Sequence, residues 1–299
     1  MPAYYTVDEI IEITGGRLAQ GMVPDEAGPL AVDTRLDLTG AWFVAIGGEN
    51  FDGHDFIGDA FCAGALGCIV EDRGSYPIAS TSFPLIAVDD TEEALGKLVG
   101  NWRKRMRKQI ALVTSGSLSE PSSKAKQLLA AIEASTGESP SGGQPAPTLP
   151  HIISAGDFSA DGSRELDSLE EPMALSLLVD WRLNVSEILC RFLNLPDETE
   201  YLVADFAPRP LARAAWLLSV LRPDVLIVTQ EGYEYDRLSG AHDSPCDIKL
   251  AMAGVIAQPG DRRRGICLTD SKELAEKLSV AQIDSVSASV VLEHLGLKR

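Results

Sequence analysis

Long apolar runs are missing from this chain of 299 residues. None approaches the roughly 20 consecutive apolar residues that a membrane-crossing helix needs, so no membrane span is expected. Paired cysteines are missing as well. Cys62, Cys68, Cys190, Cys246 and Cys267 are an odd, scattered set with no CxxC spacing, which reads as reduced and mostly buried thiols rather than a disulfide framework. The four histidines lie far apart in sequence, so no zinc motif is visible. The N-terminal stretch MPAYYTVDEIIEITGG has no basic segment leading into an apolar one. No secretion signal is read there, and a cytoplasmic location is expected. Positive charge is scarce: 26 Lys and Arg stand against 44 Asp and Glu, a net charge of −18. Nucleic acid and anionic lipid carry the same sign, so neither is an expected partner. What remains is ordinary globular composition, 45% hydrophobic and 23% charged, in a chain long enough for about two domains.

The hydrophobic pattern places a small α/β domain over residues 1–90. Val7–Thr14 has helical spacing and ends at Gly15-Gly16. Ala41–Ile46, Cys68–Val70 and Leu85–Val88 read as strands. Asp55–Gly64 reads as a helix with Phe56, Ile57, Ala60 and Phe61 inward. The second domain, residues 91–299, is expected to alternate helices (Thr91–Lys108, Ser123–Ser135, Val185–Leu193, Leu211–Leu221, Ile248–Ile256, Lys272–Leu278) with strands. The strands read at Ile110–Val113, Tyr201–Ala204, Val225–Val228 and Ile266–Leu268. Such alternation argues for a mostly parallel sheet covered on both faces. A low-complexity insert at about 136–171 lacks periodicity and is expected to be irregular. The basic run Arg103–Lys108 reads either as cations favoured at a helix C-terminus or as a patch for phosphate or an acidic partner.

Two segments resemble one family. Val32–Glu71 carries Asp33-Thr34-Arg35, Gly40, Phe43-Val44-Ala45, Gly47, Asp52-Gly53-His54, Phe56, Ala60 and Gly64-Ala65 in register with the N-terminal domain of the Mur ligases. Leu183–Ile256 resembles their central, P-loop domain, with Arg222-Pro223-Asp224, Val228-Thr229 and Gly232 in place. The likeness runs from Thr6 to about Leu278. It implies a fold of a small α/β domain followed by a P-loop-NTPase-like domain. It also implies an ATP-dependent ligase of UDP-N-acetylmuramoyl peptide, a peptidoglycan precursor, whose first domain holds the uridine diphosphate end of the substrate. The resemblance makes Thr34, Arg35, Asp52, Gly53 and His54 the candidate ligand-binding residues. A hydroxyl and a guanidinium suit a uracil edge or a diphosphate, and glycines let backbone N–H groups approach phosphate. The same residues also read as turn-shaping ones, with Asp33–Arg35 as a structural ion pair and His54 as a buried, hydrogen-bonded core histidine.

The departures from the family pattern fall on its catalytic positions. Where a P-loop would read T-G-[ST]-x-G-K-[ST], the chain has Thr114-Ser115-Gly116-Ser117-Leu118-Ser119-Glu120-Pro121-Ser122-Ser123-Lys124. Glu120 puts negative charge where a triphosphate would lie, and Pro121 removes a backbone donor. Lys124 or Lys126 would have to swing back to replace the missing lysine. Asp205 stands at the family's metal-binding glutamate, Tyr235 at its histidine and Gln230 at its asparagine, while Lys249 lies near its modified lysine. The chain also ends at Arg299, before the family's third, amine-binding domain, which is expected to be absent.

These departures imply a catalytically degenerate homologue that acts as a binding or scaffold protein, with no cofactor and no metal expected. The alternative is an active ligase using ATP and Mg²⁺ with Lys124, Asp205 and Lys249. A third reading, a hydrolase reusing Asp205, Glu231, Glu234, Asp236 and His242, lacks a recognisable nucleophile. A protein partner or a second copy is expected at Ser115–Pro121, Asp205–Pro210 and Gln230–Tyr235, where Leu118, Phe206, Tyr233 and Tyr235 cluster in sequence.

Overall fold

The computed structural model describes residues 3–48, 52–76, 78, 81–105, 109–114, 127–128, 130–131, 152–153, 174–179, 185–194, 201–206, 211–228, 266–269, 272, 275–276, 281–282 and 293. The chain divides into two units. The first holds residues up to Met106 together with Leu183–Asp197, and the second holds most of the remainder.

The first unit is built on a five-stranded sheet in the order β1-β5-β4-β3-β2. The strands are β1 (Arg17–Gln20), β2 (Leu30–Ala31), β3 (Trp42–Val44), β4 (Gly67–Glu71) and β5 (Leu85–Val88). β2 to β5 run parallel, and β1 closes the edge antiparallel to β5. β3, β4 and β5 are buried along almost their whole length, as expected of parallel strands covered on both faces. One face packs Phe43, Cys68, Val70 and Leu85 against Leu38, Ile57, Ala60 and Phe83. The alternate residues Trp42, Val44, Ile69 and Ile86 are equally buried on the other side.

Helix α1 (Val7–Thr14) starts and stops where its sequence says. Thr6 and Glu9 form a capping box, and Gly15 ends the helix in the left-handed region at φ 79°. Helix α2 is shorter than expected. Gly53–Phe56 forms a single 3₁₀ turn, and the α-helix itself covers Ile57–Cys62. Ile57 and Ala60 face the core as read, but Phe56 and Phe61 are exposed. A six-residue helix offers only one inward stripe, and these two residues fall outside it. Phe61 instead stacks edge-on against Phe83 with ring centroids 5.1 Å apart.

Helix α3 (Thr91–Arg105) buries Ala94, Leu95, Leu98, Val99 and Trp102. The sequence puts it in the second domain, whereas its described bonds go to the first. The Thr91 hydroxyl donates to the Ala45 carbonyl at 2.9 Å, and the buried Tyr5 hydroxyl donates to the Leu98 carbonyl at 2.8 Å. Its basic end is used in packing. Arg103 is buried, and Arg105 lies 5.8 Å from the Tyr5 ring centroid and 3.7 Å from Glu9. Helix α4 (Val185–Leu193) belongs here too, far from the rest of the unit in sequence. Leu189, Phe192 and Leu193 are buried, Leu193 accepts from the Ala3 amide at 3.2 Å, and Asn194 donates to the Leu30 carbonyl at 3.4 Å.

The second unit carries a seven-stranded sheet in the order β12-β11-β10-β6-β9-β8-β7, and every pairing in it is parallel. Its strands are β6 (Gln109–Thr114), β7 (Ile152–Ile153), β8 (Ala174–Val179), β9 (Tyr201–Phe206), β10 (Val225–Val228), β11 (Ile266–Thr269) and β12 (Ala281–Gln282). β6 is central, between β10 and β9. Two points correct the sequence reading. The stretch expected to be irregular contributes an edge strand at Ile152–Ile153, paired with Ser176–Leu177. Ala174–Val179 is a full strand that was not anticipated. Helix α5 (Leu211–Leu221) ends at Arg222, whose φ of 45° lets Pro223 turn the chain directly into the buried β10. The helix read at Ile248–Ile256 and most of the one at Ser123–Ser135 lie outside the described residues. Among the described residues no helix is long and apolar enough to cross a membrane.

Candidate functional site

The C-terminal ends of β2, β3, β4 and β5 point the same way, and ligands of α/β sheets bind at such ends. Three of the sequence candidates meet just past β3. Asp52 opens a turn in which its Oδ1 accepts from the His54 amide at 3.0 Å and contacts the His54 ring Nδ1 at 2.6 Å. The other ring nitrogen, Nε2, accepts from the Glu71 amide at 2.9 Å. An amide can only donate, so the proton of His54 sits on Nδ1 and points at Asp52. The ring is buried at 4% exposure with both nitrogens engaged. His54 is thus the hydrogen-bonded core histidine, and the ring offers a ligand nothing.

Gly53 lies against the backbone of Ala45 and Ile46, just past β3. Its amide donates to the Ile46 carbonyl at 2.9 Å, and an added Cβ would stand 2.7 Å from the Ile46 nitrogen. Only glycine fits that approach. The Asp55 amide returns to the Asp52 carbonyl at 3.1 Å. The amides of residues 53, 54 and 55 are therefore all spent internally. The expectation that glycine frees N–H groups for phosphate does not hold at this turn.

Three residues that sequence reasoning missed, Glu71, Arg73 and Tyr76, complete the cluster. Arg73, just beyond β4, donates through Nη1 to Asp52 Oδ2, and through Nη2 and Nε to Glu71 Oε2 at 2.8 and 3.2 Å. The Tyr76 hydroxyl donates to the Glu71 carbonyl at 3.0 Å. Burial pushes the Asp52 carboxyl up, but bonds from Arg73 and from the His54 amide and ring outweigh it and hold it well below the usual carboxylate range. A charged residue at the C-terminal end of a parallel strand was the available signal for Glu71, whereas Arg73, two residues further on, carried none of its own.

Asp33, Thr34 and Arg35 follow β2. The Arg35 guanidinium forks onto Asp33, with Nε at 2.9 Å from Oδ1 and Nη2 at 2.6 Å from Oδ2, and its amide donates to Oδ1 at 3.0 Å. The side-chain bonds from Arg35 pull the Asp33 carboxyl below its ordinary value, against burial. Arg35 is 82% exposed, so the pair is a surface one, and Thr34 is half-buried beside it.

The expected nucleotide end of the second sheet is described only in part. Thr114 closes β6 in register with Val228, and Asp205 lies near the end of β9 in register with Val113. Ser115, Gly116, Ser117, Ser122, Ser123, Lys124 and Lys249 lie outside the described residues, as do Gln230–Tyr235. Among the described residues no group of three or more His, Cys, Asp or Glu side chains could hold a metal ion.

No protein-family model matches the chain. Known proteins do. UDP-N-acetylmuramoyl-tripeptide–D-alanyl-D-alanine ligase of Escherichia coli (strain K12) is 26% identical over 261 residues, 87% of this chain and 45% of that enzyme. The same ligase of Synechocystis is 37% identical over 103 residues, 34% of this chain and 22% of that enzyme. Among solved structures, MurF from Acinetobacter baumannii superposes with a TM-score of 0.64 at 20% identity, over 95% of this chain and 53% of its own. That likeness is one of fold. The chain spans about half the length of the first of these relatives. Over the part of those enzymes that it spans, the chain is a Mur ligase homologue of the MurF-like kind.

Proposed function

We propose that the chain is a binding protein on a Mur-ligase framework, cytoplasmic and tied to peptidoglycan precursor synthesis, that does not itself carry out ATP-dependent ligation. The observation that supports this is the sequence leaving the central strand. β6 occupies the middle of the parallel sheet and closes at Thr114, yet the residues that follow are Ser-Gly-Ser-Leu-Ser-Glu-Pro in place of a Gly-Lys-Thr cradle. Phosphoryl transfer rests on positioning the phosphates and neutralising their charge, and Glu120 and Pro121 work against both. Calorimetry with Mg-ATP tests the reading. Binding too weak to detect at millimolar nucleotide is expected. Micromolar binding, or ATP turnover dependent on UDP-N-acetylmuramoyl peptide, overturns it in favour of an active ligase.

The ligand that the first unit suits best is a uridine diphosphate sugar, approached from the strand ends through Thr34 and Arg35. The turn at Asp52–His54 shapes that end without contributing donors of its own. A protein partner, or a second copy, is proposed around Phe206, which ends β9, and on the sequence segment that holds Tyr233. Loss of the partner in Phe206→Ala and Tyr233→Ala pull-downs supports this, and a strict monomer whose partners ignore both substitutions refutes it.

A further inference from the structure

We propose that Arg73 is the positioning residue of the strand-end site: one guanidinium holds the turn after β3 to the end of β4, and so sets the frame in which a ligand meets Thr34 and Arg35. As far as it concerns ligand affinity, this rests on the uridine diphosphate reading above. Arg73 is neither in the family pattern quoted for this segment nor aimed at solvent as a free cation. Its Nη1 serves Asp52, which opens the turn, and its Nη2 and Nε serve Glu71, which ends the strand. Asp52 in turn orients His54, and His54 closes the circuit by accepting from the Glu71 amide. Glu71 and Asp52 are both anions, and Arg73 is the cation that the structure puts between them. Without it, two carboxylates facing one another repel. The element they would drive apart is the turn anchored by Gly53 on Ile46 and by the bridge between Gly47 and Asp52. A planar fork reaches both carboxylates at once, which an ammonium does not.

The side chains are partly exposed, at 39% for Arg73, 33% for Asp52 and 31% for Glu71. Such pairs add little to global stability, so a local effect can be separated from unfolding. The test uses the full chain, with amide hydrogen exchange and a titration with uridine diphosphate. In Arg73→Gln, exchange at the Gly53, His54 and Glu71 amides is expected to rise about tenfold or more, while β4 and β5 core amides keep their protection. The melting temperature should move by only about 2 °C, and uridine diphosphate should bind about fivefold or more weakly. Arg73→Lys, which keeps the charge, should recover part of both. Unchanged exchange at those three amides in Arg73→Gln overturns the proposal, whatever happens to binding. If the wild-type chain does not bind uridine diphosphate but Arg73→Gln still speeds local exchange, the positioning role stands and the ligand reading falls.

Discussion

Asp52 stands 2.6 Å from the Nδ1 atom of His54, while the far side of that ring receives the Glu71 amide, and the pair fixes a single neutral tautomer inside the protein. The residue that the family resemblance offers as a ligand contact is a bracket between two strand ends.

The first prediction follows from that bracket. His54→Phe keeps the bulk of the ring but removes both bonds. It leaves the Glu71 amide unpaired and Asp52 short of one donor. The expected cost is about 1–3 kcal/mol, because a buried donor is left unsatisfied. Chemical denaturation measures it. Nitrogen-15 spectra of the wild-type ring at neutral pH should show the proton on Nδ1. A protonated Nε2 would mean that the Glu71 bond is not made in solution.

Gly53 and Gly40 should respond differently to alanine. A Cβ on Gly53 would lie 2.7 Å from the Ile46 nitrogen and 2.8 Å from its oxygen, backbone atoms that cannot move aside. Gly40 has φ +75° but nothing within 4 Å of its added Cβ. Gly40→Ala is expected to cost about 1–2 kcal/mol from left-handed strain alone. Gly53→Ala should cost more, and it should also disturb the amide signals of Ile46 and His54. Equal costs would show that the turn shifts away from β3 without penalty.

Much of the first unit was legible in sequence for reasons these residues make plain. Val7–Thr14 carries its own cap and its own glycine stop, and the apolar blocks at Cys68–Val70 and Leu85–Val88 could only be buried strands. Phe56 and Phe61 misled because apolar residues are inward only when the helix is long enough to present one continuous face. Ala174–Val179 was missed because it follows low-complexity sequence, which hid a strand whose partner, Tyr201–Phe206, is remote. Arg73 was missed because an Arg two residues past a strand has no local signature. Its meaning comes from Asp52, which is brought to it only by the fold.

Helix α4 makes the same point about distance. Phe192 is fully buried in the first unit, although most of that unit ends at Met106. Phe192→Ala is expected to cost about 3–5 kcal/mol through lost burial and a residual cavity. The loss should be felt in the first sheet. Exchange at β2 and α3 amides is the measurement, and an effect confined to residues 174–228 would place α4 elsewhere.

Tyr5 supplies a pH prediction. Burial pushes its hydroxyl up to about 12, partly offset by Arg105. The folded chain therefore holds this proton more tightly than the unfolded one, whose tyrosine titrates near 10. Stability from Tyr5 is fully present below about pH 10 and is lost as pH rises towards about 12. Tyr5→Phe should be weaker at neutral pH by about 0.5–1.5 kcal/mol, the worth of the bond to the Leu98 carbonyl. It should also show a flatter stability profile above pH 10 than the wild type. Parallel alkaline profiles for the two chains would rule out Tyr5 as the titrating group.

Arg35 carries the last prediction. Its fork is already closed on Asp33, so a diphosphate that uses Arg35 must compete with a carboxylate 2.6 Å away. The exchange is of one anion for another on an exposed guanidinium, and the net gain is small and screened by salt. Uridine diphosphate should therefore bind the wild-type chain weakly, and more weakly in 0.5 M salt than in 0.05 M salt, because the Debye length shortens from about 14 Å to about 4 Å. Asp33→Asn removes the competing charge while keeping the side-chain shape, and it should tighten binding several-fold. Arg35→Ala should abolish binding whether or not Asp33 is present. If Asp33→Asn weakens binding as much as Arg35→Ala does, then Asp33 holds Arg35 in the orientation that the ligand needs, and the pair acts as one unit rather than as ligand site and competitor.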